Sequence, residues 1–545
     1  MKVTTSKSKN SESFYIAKSF INDKGVSTSV NIRKLGTLKE LIKEHGPTRD
    51  DVMAWARAEA KLETMKYKAE KEAKKVKITF NTDAKIKYDR QAFHRGGYLF
   101  LQSMYYALHI DKICRKLKDK YKFEYDINSI LSDMLYARIL EPSSKRSSYN
   151  IANEFLEKPS YSLHDVYRAL SVLGDECDFI QSEVYKNSHF LGSRNDKILY
   201  YDCTNYYFEI SQEDGCKKYG KSKEHRPNPI VQMGMFMDGD GIPLAFSLFP
   251  ENSNEQTSVK PLEEKILSQF GCQKFIYCSD AGLGAERIRE YNHMGKRAFI
   301  VTQSIKKLKA EERAWALNKC GFKNLYDDMN TDISNLPYDD KGIYYKEIPY
   351  TPRELHQRLI VVYSPKYASY QKTIRGKQIA VTNDGEIANI HDLLDNEKIE
   401  NEALFDGLYA VSTDLLDDKV SDIIHVSEGR WEIEECFRIM KTDFEARPVF
   451  LQKEIRIKAH FLTCFLALIL YRCIEQKMSK RYTCTEILGT IRNMNFATVQ
   501  EQGYIPIYKR TAITDKLHQI FGFNTDFQFM TKQEMRNIQK KSKGR

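Results

Sequence analysis

Hydrophobic and polar positions recur with two different periods along this chain of 545 residues, and the change of period divides it. Two β-prone runs between Phe14 and Leu35 flank Asn22-Asp23-Lys24-Gly25, which carries turn chemistry and predicts a hairpin. Thr48, followed by Arg49, Asp50 and Asp51, is placed to cap a highly charged helix running to about Val76. Helical periodicity dominates from 98 to 190, with breaks at Glu141-Pro142 and Lys158-Pro159. The pattern then turns β-like. Lys197 to Ile210 is an aromatic and β-branched strand, and Ile230–Met237 and Ile242–Phe249 follow as a hairpin closed by Asp238-Gly239-Asp240-Gly241. A helix (Ser258–Phe270), a strand (Lys274–Cys278), a helix (Gly284–Met294) and a strand (Arg297–Thr302) complete the order β-β-β-α-β-α-β.

Strand-like runs mixed with charged loops fill 305–425 (Ile343–Ile348, Leu359–Tyr363, Leu408–Ser412) and read as an insertion. Helical periodicity returns at Arg430–Lys441 and Ala459–Lys477, and a mixed region ends in the basic KKSKGR. The reading is α/β with five regions: a mainly helical 1–190 that opens with the hairpin, a core 191–304, a β-rich 305–425, a helical 426–478 and a C-terminal 479–545, suited to dimerisation or DNA contact.

Composition narrows the function classes. Hydrophobic residues at 41% and charged residues at 29% exclude collagen-like, low-complexity and mostly disordered chains. Lys plus Arg number 85 against 74 Asp plus Glu, a net charge of +11 that favours a polyanion, with nucleic acid ahead of an anionic membrane. The basic start lacks an apolar stretch of the kind a secretory signal needs, so a cytoplasmic, nucleoid-associated protein is expected. The longest apolar run, Phe461–Tyr471, falls short of the roughly 20 residues of a membrane-spanning helix and predicts a buried one. The eleven cysteines form no C-x-x-C pair, which leaves zinc ribbons and dithiol redox sites without support.

Three acids stand out. Asp202 lies in a strand apolar on both faces, where a carboxylate is costly unless it is paired or holds a metal; local backbone bonding is the ordinary alternative. Asp280 ends an apolar strand before a helix, where ligand sites collect and where Asp also serves as a cap. Glu434 lies in the helical RWEIEECFRIMK, where Arg–Glu pairs are also common surface ornaments. At about 100° per residue, Glu434, Arg438 and Lys441 share one stripe, with Ile433, Cys436, Phe437 and Met440 towards the core and Glu435 and Ile439 turned away. Two strands and a helix delivering three carboxylates suit a pair of Mg²⁺ ions, which prefer oxygen ligands.

The blocks YYDCTNYYFE around Asp202, YCSDAGLG around Asp280 and RWEIEECFRIMKTDFEARPVF resemble those of DDE transposases of bacterial insertion sequences, in the RNase H-like superfamily. Arg430, Glu434 and Lys441 fit the spacing Tyr-x2-Arg-x3-Glu-x6-Lys of the group typified by insertion sequence four, and Ser427 stands where its tyrosine would fall. GKSKEHRPN, DGIPLAFSLFPENSNEQTS and RIKAHFLTCFLAL extend the resemblance over about 197–470. It implies an RNase H-like core with a β-rich insertion and Asp202, Asp280 and Glu434 as ligands of two Mg²⁺, with Mn²⁺ able to substitute. It further implies Arg430 and Lys441 as phosphate contacts, N-terminal helices that bind DNA ends, and a homodimer in the synaptic complex.

Arg438 joins the DNA-contact candidates from the residues alone, with an ion pair along the helix as its ordinary alternative. Weaker candidates are His225-Arg226 for DNA, and Asn252, Glu255 and His460, each better explained by loop or core bonding; His425 could supply the contact that Ser427 lacks. The expected protein is a transposase that binds terminal inverted repeats, cleaves DNA and joins it to target DNA, with no membrane partner. The alternatives are an RNase H-like nuclease without strand transfer and a catalytically inactive, domesticated DNA-binding protein.

Overall fold

Alternation of Val3, Phe14 and Ile16 with polar neighbours builds a three-stranded antiparallel sheet at the start of the chain, β1 (Lys2–Ser8), β2 (Ser11–Ile21) and β3 (Ser27–Thr37), in that order. This is seen in a computed structural model, which describes all residues except 10, 22–26, 74, 75, 79–81, 84, 86, 87, 211, 221–226, 251–254, 338, 339, 384–395, 500 and 501. The expected turn at Asn22–Gly25 therefore lies outside the described residues. Helices α1 (Leu38–His45) and α2 (Arg49–Ala73) close one side of the sheet, where Leu41, Val52 and Ala56 pack on Phe14. Strands and helices together form a compact unit, Met1–Arg90. The strand β1 is absent from the sequence reading, because KVTTSKS offers Val3 as its one apolar residue.

The second unit, Gln91–Arg545, begins with β4 (Phe93–Arg95) and six helices between Tyr98 and Ser188. These helices gather around the helix Glu454–Lys477, which is apolar enough to cross a membrane by length and composition and has 94% of its apolar window buried in the fold. The boundary expected at residue 190 is not a break in packing. Leu135, Leu170 and Leu173 share one core with Phe461, Phe465 and the sheet residues Tyr200, Cys278 and Ile300, and the chain divides after Arg90 instead.

The aromatic run around Asp202 forms β5 (Ile198–Tyr207), and β6 (Ile230–Asp238) and β7 (Pro243–Pro250) follow antiparallel, turning at the predicted Asp-Gly pairs. Beyond the helix Glu255–Lys265, β8 (Ile276–Ser279) and β9 (Ala298–Gln303) run parallel to β5, separated by the helix Glu286–Asn292. This is the predicted order of an RNase H-like core. The inserted region adds β10 (Phe322–Asn324), β11 (Asn330–Thr331), β12 (Tyr344–Tyr350), β13 (Gln357–Tyr363) and β14 (Leu408–Thr413). Since β14 pairs with β9, the insertion continues the same sheet, whose ten strands run β11-β10-β12-β13-β14-β9-β8-β5-β6-β7. A separate sheet, β17-β16-β15-β4, joins Met530–Thr531, Gly503–Pro506 and Asn495–Val499 to β4.

Strand alternation sorts the side chains into two cores. Leu199, Tyr201, Cys203, Tyr277 and Phe299 face the helices after β7 and β8. Tyr200, Tyr206, Met235, Cys278 and Ile300 face the opposite way, into the core that holds the helices Val420–Glu428, Trp431–Thr442 and Glu454–Lys477. A polar contact joins strand to helix in that layer: the Tyr200 hydroxyl donates to the Val426 carbonyl at 2.8 Å. Gly429, between the first two of these helices, makes the approach possible, because a Cβ there would lie 2.3 Å from the Tyr200 oxygen.

Gly429→Ala should therefore destabilise the protein by about 1–3 kcal/mol through overpacking, although its backbone is in the ordinary helical region. Tyr200→Phe removes the obstructing oxygen. In thermal or chemical denaturation the double variant should lose less stability than the sum of the two single changes; strict additivity would show that the joint is not tight.

Candidate active site

Asp202 is half-buried on β5, on the same side as Tyr200, and its Oδ1 accepts a hydrogen bond from the Cys203 N–H at 2.7 Å. Asp280 follows the last residue of β8, and Leu283 N–H donates to its Oδ1 at 3.0 Å. That bond closes the turn Asp280–Leu283. Asp280 does not cap the next helix, which begins at Glu286 with Ala285 as its N-cap.

The register brings these carboxylates together. Tyr200 pairs with Cys278 and Cys278 with Ile300, so two residues further along Asp202 on β5, Asp280 just past β8 and Thr302 on β9 come at the same level of the sheet, whose neighbouring strands lie about 4.8 Å apart. The turn beside Asp280 is tight: a Cβ on Gly284 would lie 3.0 Å from Val301 Cβ and 3.2 Å from the Asp280 carbonyl. Buried Arg289 fastens it by donating to the Gly284 carbonyl at 2.8 Å, to Gln303 Oε1 of β9 at 2.6 Å and to Gln357 Oε1 of β13 at 3.0 Å.

Glu434 comes from the helix Trp431–Thr442, packed on the face that carries Asp202 and Asp280, and its side chain is 60% exposed. It lines a cleft of ≈440 Å³ with Thr302, Tyr367, Tyr409, Ser427, Trp431 and Arg430. Arg430 and Thr302 also line an adjoining cleft of ≈560 Å³ with Ala281, Lys306, Arg375 and Phe405. The Arg430 guanidinium lies 3.9 Å from Glu434, and its buried Nε finds no hydrogen-bond partner among the described residues. Such a donor costs about 1–3 kcal/mol until an acceptor arrives. Lys441 Nζ stands 5.5 Å above the ring of Tyr206, four residues beyond Asp202 on β5.

Arg438 lies apart from this group. It donates two bonds of 2.7 Å to Glu435 and one of 3.2 Å to Asp443, and the guanidinium holds the Glu435 carboxyl below its ordinary range. The helix phase is right for Ile433, Cys436, Phe437 and Met440, which are buried. Ile439 is buried too, so the side opposite Glu434 is not turned to solvent as the wheel suggested. His460 is a core residue hydrogen-bonded to the Ala446 carbonyl, and burial lowers its pKa well below the usual imidazole range. His425 is exposed, whereas His225, Arg226 and Asn252 lie outside the described residues.

The donor set suits a hard divalent cation, being three carboxylates with oxygen ligands only. Their oxygens do not all lie within 4.8 Å of one another; among the described residues that holds for Asp515, His518 and Asp526, where Arg510 already pairs with both carboxylates. Sequence reading missed Thr302, Tyr367, Tyr409 and Trp431. Thr302 could have been found from the end of its strand, while the two tyrosines enter from inserted elements that carry no motif.

A cryo-EM structure of a piggyBac transposase synaptic complex with hairpin DNA is similar over 82% of this chain and 85% of that chain, at 7% identity and a TM-score of 0.37. No curated protein matches. A family model described as "Transposase DDE domain" matches residues 197–470, the stretch that runs from β5 with Asp202, through β8 and Asp280, to the helix after Glu434. Because the match covers half of the chain and includes every element of the clefted sheet face, this protein belongs to the DDE transposase domain family.

Proposed function

We propose that this transposase is of the insertion-sequence-four type and that it binds the terminal inverted repeats of its element, cleaves at their 3′ ends and joins them to target DNA as a homodimer. The observation that carries the proposal is the shared face: Asp202 on β5 and Asp280 just past the end of β8, with the helix before that of Glu434 fastened to the same side of the sheet through Tyr200 and Val426. Asp202, Asp280 and Glu434 would hold two Mg²⁺, or Mn²⁺ in their place. Bound there, the ions supply charge stabilisation and lower the pKa of a nucleophilic water or 3′-hydroxyl.

The chain's own groups do the positioning. Arg430 offers its unpartnered Nε and its fork of donors to a phosphodiester in the cleft, and a non-bridging oxygen there would satisfy the buried donor. Lys441 adds a positive charge farther along β5. In the first step a P–O bond forms to water as the bond to the 3′ oxygen breaks. In the second that 3′ oxygen attacks a target phosphodiester, exchanging one P–O bond for another without an outside energy source. Glu434 must turn from Arg430 towards the two aspartates as substrate enters, an adjustment its exposed side chain permits.

Asp202→Asn, Asp280→Asn and Glu434→Gln should each reduce cleavage of a terminal-repeat duplex by about 10²-fold or more, with binding to that duplex little changed. Glu435→Gln should retain most cleavage, since its carboxylate is committed to Arg438. Near-normal cleavage by Asp280→Asn would rule out the three-acid site. Strand transfer between labelled ends separates this reading from a nuclease that only hydrolyses.

Ser427 lines the cleft beside Trp431 and Glu434. Ser427→Tyr should place a ring and hydroxyl against the substrate backbone, raising the yield of processed ends at an unchanged Mg²⁺ requirement. An equal yield across a Mg²⁺ titration would show that the position contributes no contact.

A further inference from the structure

The net charge of +11 is distributed very unevenly. Residues 1–90 carry 21 Lys and Arg against 12 Asp and Glu, a net of +9, while residues 91–545 carry 64 against 62, a net of +2. The positive excess of the whole protein is thus largely a property of its first compact unit.

Within that unit the sheet divides its side chains cleanly. Phe14, Ile16 and Lys18 of β2 face the helices: Phe14 packs on Leu41 and Val52, Arg33 opposite Ile16 pairs with Glu59 and Glu63 of α2, and Lys18 lies 4.3 Å from the Tyr67 ring. Among the described residues of this unit, no helix packs on the other face. By register it presents Lys2, Thr4 and Ser6 from β1, Tyr15 and the buried Ala17 from β2, and Ser29, Asn31 and Lys34 from β3. Glu12 is the only acid in the three strands; it points to the helix side and pairs with Arg49 at 2.8 Å. The exposed Phe20 and Val30 also belong to the helix side. The bare face therefore carries two lysines, Lys2 and Lys34, among hydroxyl and amide side chains, and no carboxylate. Thr4 donates to Asn31 Oδ1 at 3.1 Å across β2, which holds that amide in a fixed orientation before any partner binds.

We propose that this face is a duplex-DNA recognition surface that enters the major groove; the proposal rests on the reading of the protein as a DNA transposase and adds the element that selects the DNA. Three strands spaced about 4.8 Å apart form a slab about 10 Å wide, which suits a groove roughly 12 Å wide. Lysines supply phosphate attraction, and Asn, Thr, Ser and Tyr side chains supply the hydrogen bonds that read base edges. A membrane surface would call for apolar side chains on the same face, and a protein partner for an apolar or aromatic centre. Here the one aromatic ring is the half-buried Tyr15 on the central strand and the exposed Ile32 sits at the bulge of β3, single side chains that form no continuous apolar patch.

The test uses the full-length chain and a pool of duplexes with a randomised core, selected by gel shift and then rebound over a salt series. Lys2→Glu with Lys34→Glu, or separately Ser6→Glu with Ser29→Glu, should lower retention about tenfold or more and abolish sequence enrichment, with unchanged thermal melting. Lys43→Glu with Lys61→Glu makes the same charge change as the lysine pair on the helices and should preserve the enriched sequence. Asn31→Ala should relax one position of that sequence with little effect on affinity for unselected duplex. Equal losses in the sheet and helix variants, or normal enrichment in the sheet variants, would overturn the assignment. So would retention on phosphatidylserine vesicles, lost in the same sheet variants, with none on duplex. A wild-type chain that selects DNA through this face but neither cleaves nor joins it would refute the transposase function and leave the surface standing.

Discussion

Tyr200 and Val426 are 226 residues apart, and the hydrogen bond between them sets where the third carboxylate can be. Strand alternation puts Tyr200 on the same side of β5 as Asp202, two residues away. A ring that reaches the carbonyl of Val426 therefore draws the end of one helix, and the start of the helix with Glu434, down onto the face where Asp202 and Asp280 sit. The bond itself contributes about 1 kcal/mol. Its larger effect is geometric, because Gly429 leaves no space to spare: the oxygen occupies the volume where any other residue would carry a Cβ. The helix can neither slide nor rotate on the sheet without striking that ring.

Asp280 is held by a different device. It stands just beyond a short strand, at the start of a turn that an unsupported loop would leave mobile. Arg289 removes that freedom with bonds to the turn, to β9 and to β13, the last reaching into the inserted region. The insertion is thus part of what fixes the second aspartate, as well as the wall of the cleft through Tyr367 and Tyr409. This explains why it extends the core sheet: a separately folded module could not offer Gln357 in register with Gln303 and Gly284. Arg289 is buried and charged, so these oxygen acceptors also offset its desolvation.

The catalytic region was legible in the sequence because its signals are local. The Asp-Gly turn, the β-branched run at Asp202 and the phase of Ile433, Cys436, Phe437 and Met440 each depend on near neighbours. The failures have the opposite character. β1 could not be read from KVTTSKS because its strand character comes from pairing with β2. The expected boundary at 190 followed a real change of pattern, from helix to strand, yet both sides bury their apolar residues in one core. Ile439 lies on the outward side of its own helix and is nevertheless buried, which no single-helix projection can foresee. Arg438 shares the stripe of Glu434 but reaches back to Glu435, three residues earlier, and forward to Asp443. Its partners were visible in the sequence; the choice among them was not.

Charge distribution bears on how such a protein divides its work. A unit with net charge +2 over 455 residues has little net attraction for a polyanion at a distance, and at physiological salt fields are screened within about 8 Å. What it can do is grip locally, where Arg430 lies partly desolvated at the cleft and has a donor to satisfy. On the proposed recognition surface, capture would fall to the first 90 residues, which hold +9 of the net charge. The separation has a chemical advantage. Three acids, if they serve a metal as proposed, repel phosphate until it is bound, so a surface that supplied both capture and catalysis would set the two against each other. Keeping the acids in a nearly neutral unit and the positive excess in another lets each be strong without weakening its opposite.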